Sequence, residues 1–135
     1  MALIEGTFGS DNLFGTPGND VIDGFGDGLN TGQVDFLTGG AGADIFVLGD
    51  PLVSPFPYYA DEFWFSPDGR ASYAVITDFS FAEFDTIEVV GSTLDYDVTQ
   101  ISQGNVEISY QGDLIAIVSG FNVTAADVVS SLVPV

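Results

Sequence analysis

Gly6-Thr7-Phe8-Gly9-Ser10-Asp11-Asn12-Leu13-Phe14 is followed at once by Gly15-Thr16-Pro17-Gly18-Asn19-Asp20-Val21-Ile22-Asp23. After an irregular interval comes Gly39-Gly40-Ala41-Gly42-Ala43-Asp44-Ile45-Phe46-Val47. All three read Gly-x-x-Gly-x-Asp-x-U-x, where U is a large apolar residue. The first six positions of each unit form a turn, because glycine accepts the positive φ angles that other side chains resist. The last three form a short strand whose middle residue faces opposite to its neighbours. Leu13, Ile22, Leu37 and Phe46 are therefore the expected inward set. The third unit starts at Gly24-Phe25-Gly26 but reaches Asp-x-U only at Asp35-Phe36-Leu37, so residues 27–34 must bulge out, and Gln33 stands where a glycine is expected.

The unit Gly39–Val47 fits G-G-x-G-x-D-x-U-x at every fixed position, and in this the stretch resembles the RTX family, the hemolysin-type calcium-binding nonapeptide repeats. The resemblance implies an all-β fold: a parallel β-roll, or calcium β-helix, in which each unit is half a coil. Alternate units then stack, placing Asp11 over Asp35 and Asp20 over Asp44. Carboxylates about 5 Å apart repel by roughly 3 kcal/mol at an effective dielectric of 20. A hard divalent cation between them turns that repulsion into attraction. Calcium takes six to eight oxygens, including the backbone carbonyls that glycine-rich turns expose, whereas magnesium demands a tighter octahedron and keeps its waters. About two to four calcium ions are expected.

Further ligand candidates follow from the same resemblance. Asp50 stands shortly after the last repeat, where the family often completes a terminal site. Residues 73–79 and 85–89 look like the I-x-D-F … D-x-I-x-L segment that commonly follows RTX repeats, extending the likeness over residues 6–90. Ala74 occupies a place that is often acidic in that segment, with Asp78 as a substitute ligand. Asp27, in the bulged loop, is a further candidate. An EF-hand reading of residues 23–34 fails, because Phe25 and Val34 stand where oxygen ligands are required.

Composition narrows the function. Among 135 residues there are 20 Asp and Glu but one basic residue (Arg70) and no His, giving a net charge of −19. Such a chain has no footprint for nucleic acid and is repelled by anionic surfaces. Bound calcium would relieve the self-repulsion, so folding and calcium binding should be linked. With neither His nor Cys, nucleophile–base pairs and zincin motifs are excluded, and the best-placed carboxylate pairs are claimed by calcium; the chain is expected not to be an enzyme. The longest apolar run, residues 114–118, is far too short for a membrane span.

We expect one domain over 1–135, divided into a calcium-binding roll (1–50), an aromatic and Pro-rich insertion (51–72) and a capping region (73–135). The insertion crowds Phe56, Tyr58, Tyr59, Phe63, Trp64 and Phe65 together. It either folds back to seal the roll or presents Tyr58, Tyr59 and Trp64 as a platform for a neutral glycan or other cell-surface component. From Thr86 onward the alternation reads as a small antiparallel β-sheet, and Thr124 can cap a short C-terminal helix running to about Ser131, with Pro134 ending it. The start of the chain shows no Sec-type signal. The RTX resemblance implies type I secretion through an uncleaved C-terminal signal, so an extracellular, structural or binding role is expected. An intracellular calcium buffer and an ice-binding threonine array are weaker rivals, the latter because only Thr7, Thr16 and Thr38 lie near the repeats.

Overall fold

The computed structural model describes residues 1–7, 9–24, 34–52, 57–59 and 72–135. The described residues form mostly strands and one short helix. In chain order these are β1 (Ala2–Glu5), β2 (Asn12–Phe14), β3 (Asp20–Asp23), β4 (Val34–Thr38), β5 (Ile45–Val47), β6 (Tyr73–Ile76) and β7 (Thr86–Val89). There follow β8 (Tyr96–Ser102), β9 (Asn105–Tyr110), β10 (Asp113–Ser119), α1 (Ala125–Ser131) and β11 (Leu132–Pro134).

From β1 to β7 the chain alternates between two sheets, ordered β1-β3-β5-β7-β11 and β2-β4-β6-β10-β9-β8. Every pair in the first sheet is parallel. The second is parallel from β2 through β10, then antiparallel through β9 and β8. The strands of the repeats are short because each nonapeptide allots only three residues or so to the strand and spends the rest on the turn.

Register turns the periodic apolar position into a stack. In the first sheet Ile4, Ile22, Phe46, Ile87 and Leu132 are successive partners. In the second, Leu13, Leu37, Ile76 and Val118 are. All but the top members, Ile4 and Leu13, are buried, and those two pack half-exposed against the same core. Each full burial of such a side chain stabilises the fold by about 1.5–3 kcal/mol. The inward set expected from the repeats is the observed one.

Two expectations need correction. The region after Thr86 is not a wholly antiparallel sheet: β7 and β11 join the parallel sheet, and β10 lies parallel to β6. Alternating hydrophobicity tells which side of a strand faces the core but not the direction of its neighbour. Secondly, Pro134 does not end the helix. The Thr124 hydroxyl accepts from the Asp127 N–H (3.2 Å), as expected of the cap, but α1 stops at Ser131, where the chain extends into β11. Gln100 of β8 clamps α1 from below, its amide donating to the Val123 carbonyl (3.1 Å) and accepting from the Ala125 N–H (2.8 Å).

Candidate metal centre

Two of the repeat aspartates close their own turns. Asp11 Oδ2 accepts the Thr7 N–H (2.7 Å), and Asp20 Oδ2 accepts the Thr16 N–H (2.6 Å). The threonine hydroxyls donate to the same carboxylates at 2.9–3.0 Å. The other carboxylate oxygen reaches across to the next coil. Asp20 Oδ1 accepts from the Ala2 N–H, Asp44 Oδ1 from Asp20, and Asp85 Oδ1 from Asp44, at 2.9–3.0 Å. On the other side Asp35 Oδ1 accepts from the Asp11 N–H at 2.7 Å. The molecule thus carries two columns, Asp11–Asp35 and Asp20–Asp44–Asp85.

Asp20, Asp35, Asp44 and Asp85 are all buried. Burial works against the Asp20 charge, but the Thr16 and Ala2 donors outweigh it and hold this carboxyl below its ordinary value. Burial raises Asp35, helped by the charge of Asp11, and raises Asp85, helped by Asp78 and Glu83. Asp44 is pushed up to about 6, by burial first and then by Asp85, Asp20 and Asp78.

Asp44 differs from its equivalents in one bond. By analogy with Thr16, the Gly40 N–H should close the turn onto Asp44 Oδ2. Instead Asp78 takes both the Gly39 and Gly40 N–H groups, at 2.9 and 2.8 Å, and Glu83 takes that of Gly42 (2.9 Å). Asp44 Oδ2 is left fully buried without a hydrogen-bond partner. An unpaired buried carboxylate oxygen costs several kcal/mol unless something positive meets it.

The surroundings supply oxygen. Gly40 and Gly42 sit at φ +88° and +104°, and a Cβ at Gly42 would lie 2.7 Å from the Gly18 carbonyl and 2.9 Å from Asn19 Oδ1. At Gly15 a side chain would collide with the Gly39 carbonyl. Glycine at these places lets the carbonyls of one turn face the backbone of the next. Among the described residues no three acidic side chains converge on one point, so backbone oxygens must complete any ion's shell. An oxygen-only set of carboxylates and carbonyls, in a chain without His or Cys, suits calcium.

The family model for the RTX calcium-binding nonapeptide repeat matches here in four copies, over residues 5–27 and 31–50. Residues 5–27 and 31–50 thus match RTX repeats. No curated protein matches the chain. RTX repeats bind calcium, and the pairing of Asp11 with Asp35 and of Asp20 with Asp44 follows the order of the repeats, alternate units stacking across the expanded third unit.

Other candidates fall elsewhere. Asp50 Oδ1 accepts the Leu52 N–H (2.8 Å) and so caps its own turn. Asp78 meets the fourth unit through the Gly39 and Gly40 N–H groups. Asp27 and Trp64 lie outside the described residues. Tyr58 and Tyr59 do not form an exposed platform: both are buried in the core, and the Tyr59 hydroxyl donates to Asp35 Oδ2 at 2.8 Å. Asp85 was missed as a ligand candidate. Its signal was present, since Asp85-Thr86-Ile87 repeats Asp-x-U, but the intervening insertion breaks the nine-residue count.

Proposed function

We propose that this chain is a non-catalytic calcium module, built as a parallel β-roll, which works outside the cell and completes its fold on meeting extracellular calcium. The observation that carries this reading is the buried, unpartnered Asp44 Oδ2, set between Asp20 above and Asp85 below in a chain almost without cations of its own. Asp20, Asp44 and Asp85 would hold ions in one column, Asp11 and Asp35 in the other, with turn carbonyls filling the remaining positions. Extracellular modules load calcium at about 0.1–1 mM, far above the cytosolic level. The same sequence would then be poorly folded inside a cell and compact outside it. RTX repeats are typical of secreted proteins, which supports that setting. No helix among the described residues is long and apolar enough to cross a membrane.

The test is far-UV circular dichroism of the purified chain during a calcium titration, with magnesium in parallel and the metal content measured by mass spectrometry. Calcium should raise the strand signal and the melting temperature where magnesium does not. Equal folding and melting in excess EGTA, with no metal found, would end this reading.

A further inference from the structure

We propose that Tyr59 stands in for a calcium ion at the lower end of the Asp11–Asp35 column, so that the two columns of the roll carry unequal numbers of ions. The inference rests on the calcium reading of the repeats and adds to it a residue outside them.

The two columns begin alike and end differently. Beside Gly6 the space at Cα is filled from the coil below by the Gly24 carbonyl, and beside Gly15 by the Gly39 carbonyl. Beside Gly24 the same place is taken by the Tyr59 hydroxyl. Under Asp44 the next strand brings the carboxylate of Asp85, in register and hydrogen-bonded. Under Asp35 the next strand brings Ala74. Asp44 keeps one oxygen without a partner. Asp35 has both oxygens engaged, one by the Asp11 N–H and the other by Tyr59. Where one column offers a second carboxylate and an open oxygen, the other offers a methyl group and a hydroxyl proton already in place.

A phenol suits this role for physical reasons. It is a neutral donor, so it satisfies a buried carboxylate without a desolvated cation, and its ring adds apolar area to the core. Tyr59 is fully buried among those core side chains. A hydrogen bond to a charged acceptor is worth roughly a 10- to 100-fold change in the folded-to-unfolded ratio. In the folded chain the lower end of this column is thus held by protein alone, with no ion needed at that place.

The test compares wild type, Tyr59→Phe, and the double variant Tyr59→Phe/Ala74→Asp. Ions are counted by native mass spectrometry at saturating calcium, and folding midpoints are read by circular dichroism. Tyr59→Phe should bind as many ions as wild type but need more calcium to fold, its folded-to-unfolded ratio falling by roughly 10- to 100-fold. The double variant, with a carboxylate under Asp35 and no phenol above it, should bind one ion more than wild type. Loss of an ion in Tyr59→Phe would overturn the inference, since the hydroxyl would then be a ligand. So would an unchanged folding midpoint in that variant, or a folded double variant with no extra ion. If the double variant fails to fold, the single variant decides. Wild type binding no calcium at all would sink the calcium reading and this inference together, whereas the other outcomes sink this inference alone.

Discussion

Asp44→Asn should change the sign of its effect with calcium. The substitution keeps the shape and the acceptor for the Asp20 N–H but removes a charge stacked between Asp20 and Asp85. Carboxylates one strand spacing apart, about 4.8 Å, repel by roughly 3 kcal/mol at an effective dielectric of 20. The rise of the Asp44 carboxyl from 3.8 to about 6 converts to about 3 kcal/mol for ionising it at neutral pH, which screening from the nearby surface trims to about 2 kcal/mol. In EGTA the variant should therefore be more stable than wild type by about 1–2 kcal/mol, or roughly 3–10 °C in melting temperature for a chain of this length. In excess calcium the order should reverse. A site filled at a hundred times its dissociation constant contributes about 2.7 kcal/mol, and in the proposed column Asp44 would border two such positions. The assay is a thermal melt in EGTA and in millimolar calcium, with an osmolyte added to both if the calcium-free chain needs it to fold. A variant that is equally destabilised in both buffers would refute the argument, because Asp44 would then be an ordinary hydrogen-bond acceptor.

Other outcomes are expected on the same grounds. Gly15→Ala drives a methyl group into the Gly39 carbonyl, so the stacked turns must separate; calcium affinity by isothermal titration should drop at least tenfold, and an unchanged affinity would show that the turns do not hold the ion. Asp35, Asp44 and Asp85 have folded-state values above the ordinary one, so the folded state binds more protons than the unfolded. Their contribution is complete below about pH 4 and is lost as pH rises through their folded-state values, which for Asp44 is about 6. Melts in EGTA should accordingly show a more stable chain near pH 5 than near pH 7.5, the reverse of ordinary acid denaturation. Ile22→Ala empties a fully buried place in the first sheet's stack and should cost about 2–5 kcal/mol by denaturant titration in saturating calcium. Thr124→Ala removes the cap of α1 and should cost about 1 kcal/mol.

How much of this was legible depended on how local the cause was. Leu13, Ile22, Leu37 and Phe46 could be placed because the nonapeptide fixes both the turn and the strand within nine residues. The stacking of Asp20 on Asp44 could be placed because the repeat count survives the bulged third unit. Asp85 could not, since the residues inserted between β5 and β7 destroy the count while leaving the register intact. The open oxygen of Asp44 arises from competition, as Asp78 and Asp44 both have a claim on the Gly40 N–H and no propensity says which will have it. Tyr59 meets Asp35 from 24 residues away, a contact that aromatic composition alone could as easily have placed on the surface.

The last strand has a consequence for how residues 130–135 can be recognised. Leu132, Val133 and Pro134 lie in register beside Ile87, Glu88 and Val89, and the Val135 N–H donates to the Val89 carbonyl (2.9 Å). Once folded, this tail is the edge strand of the first sheet, one side of its backbone paired with β7. A partner that pairs with this strand after folding can do so only along its outer edge, whereas one that needs both sides of the backbone must meet it before the sheet closes.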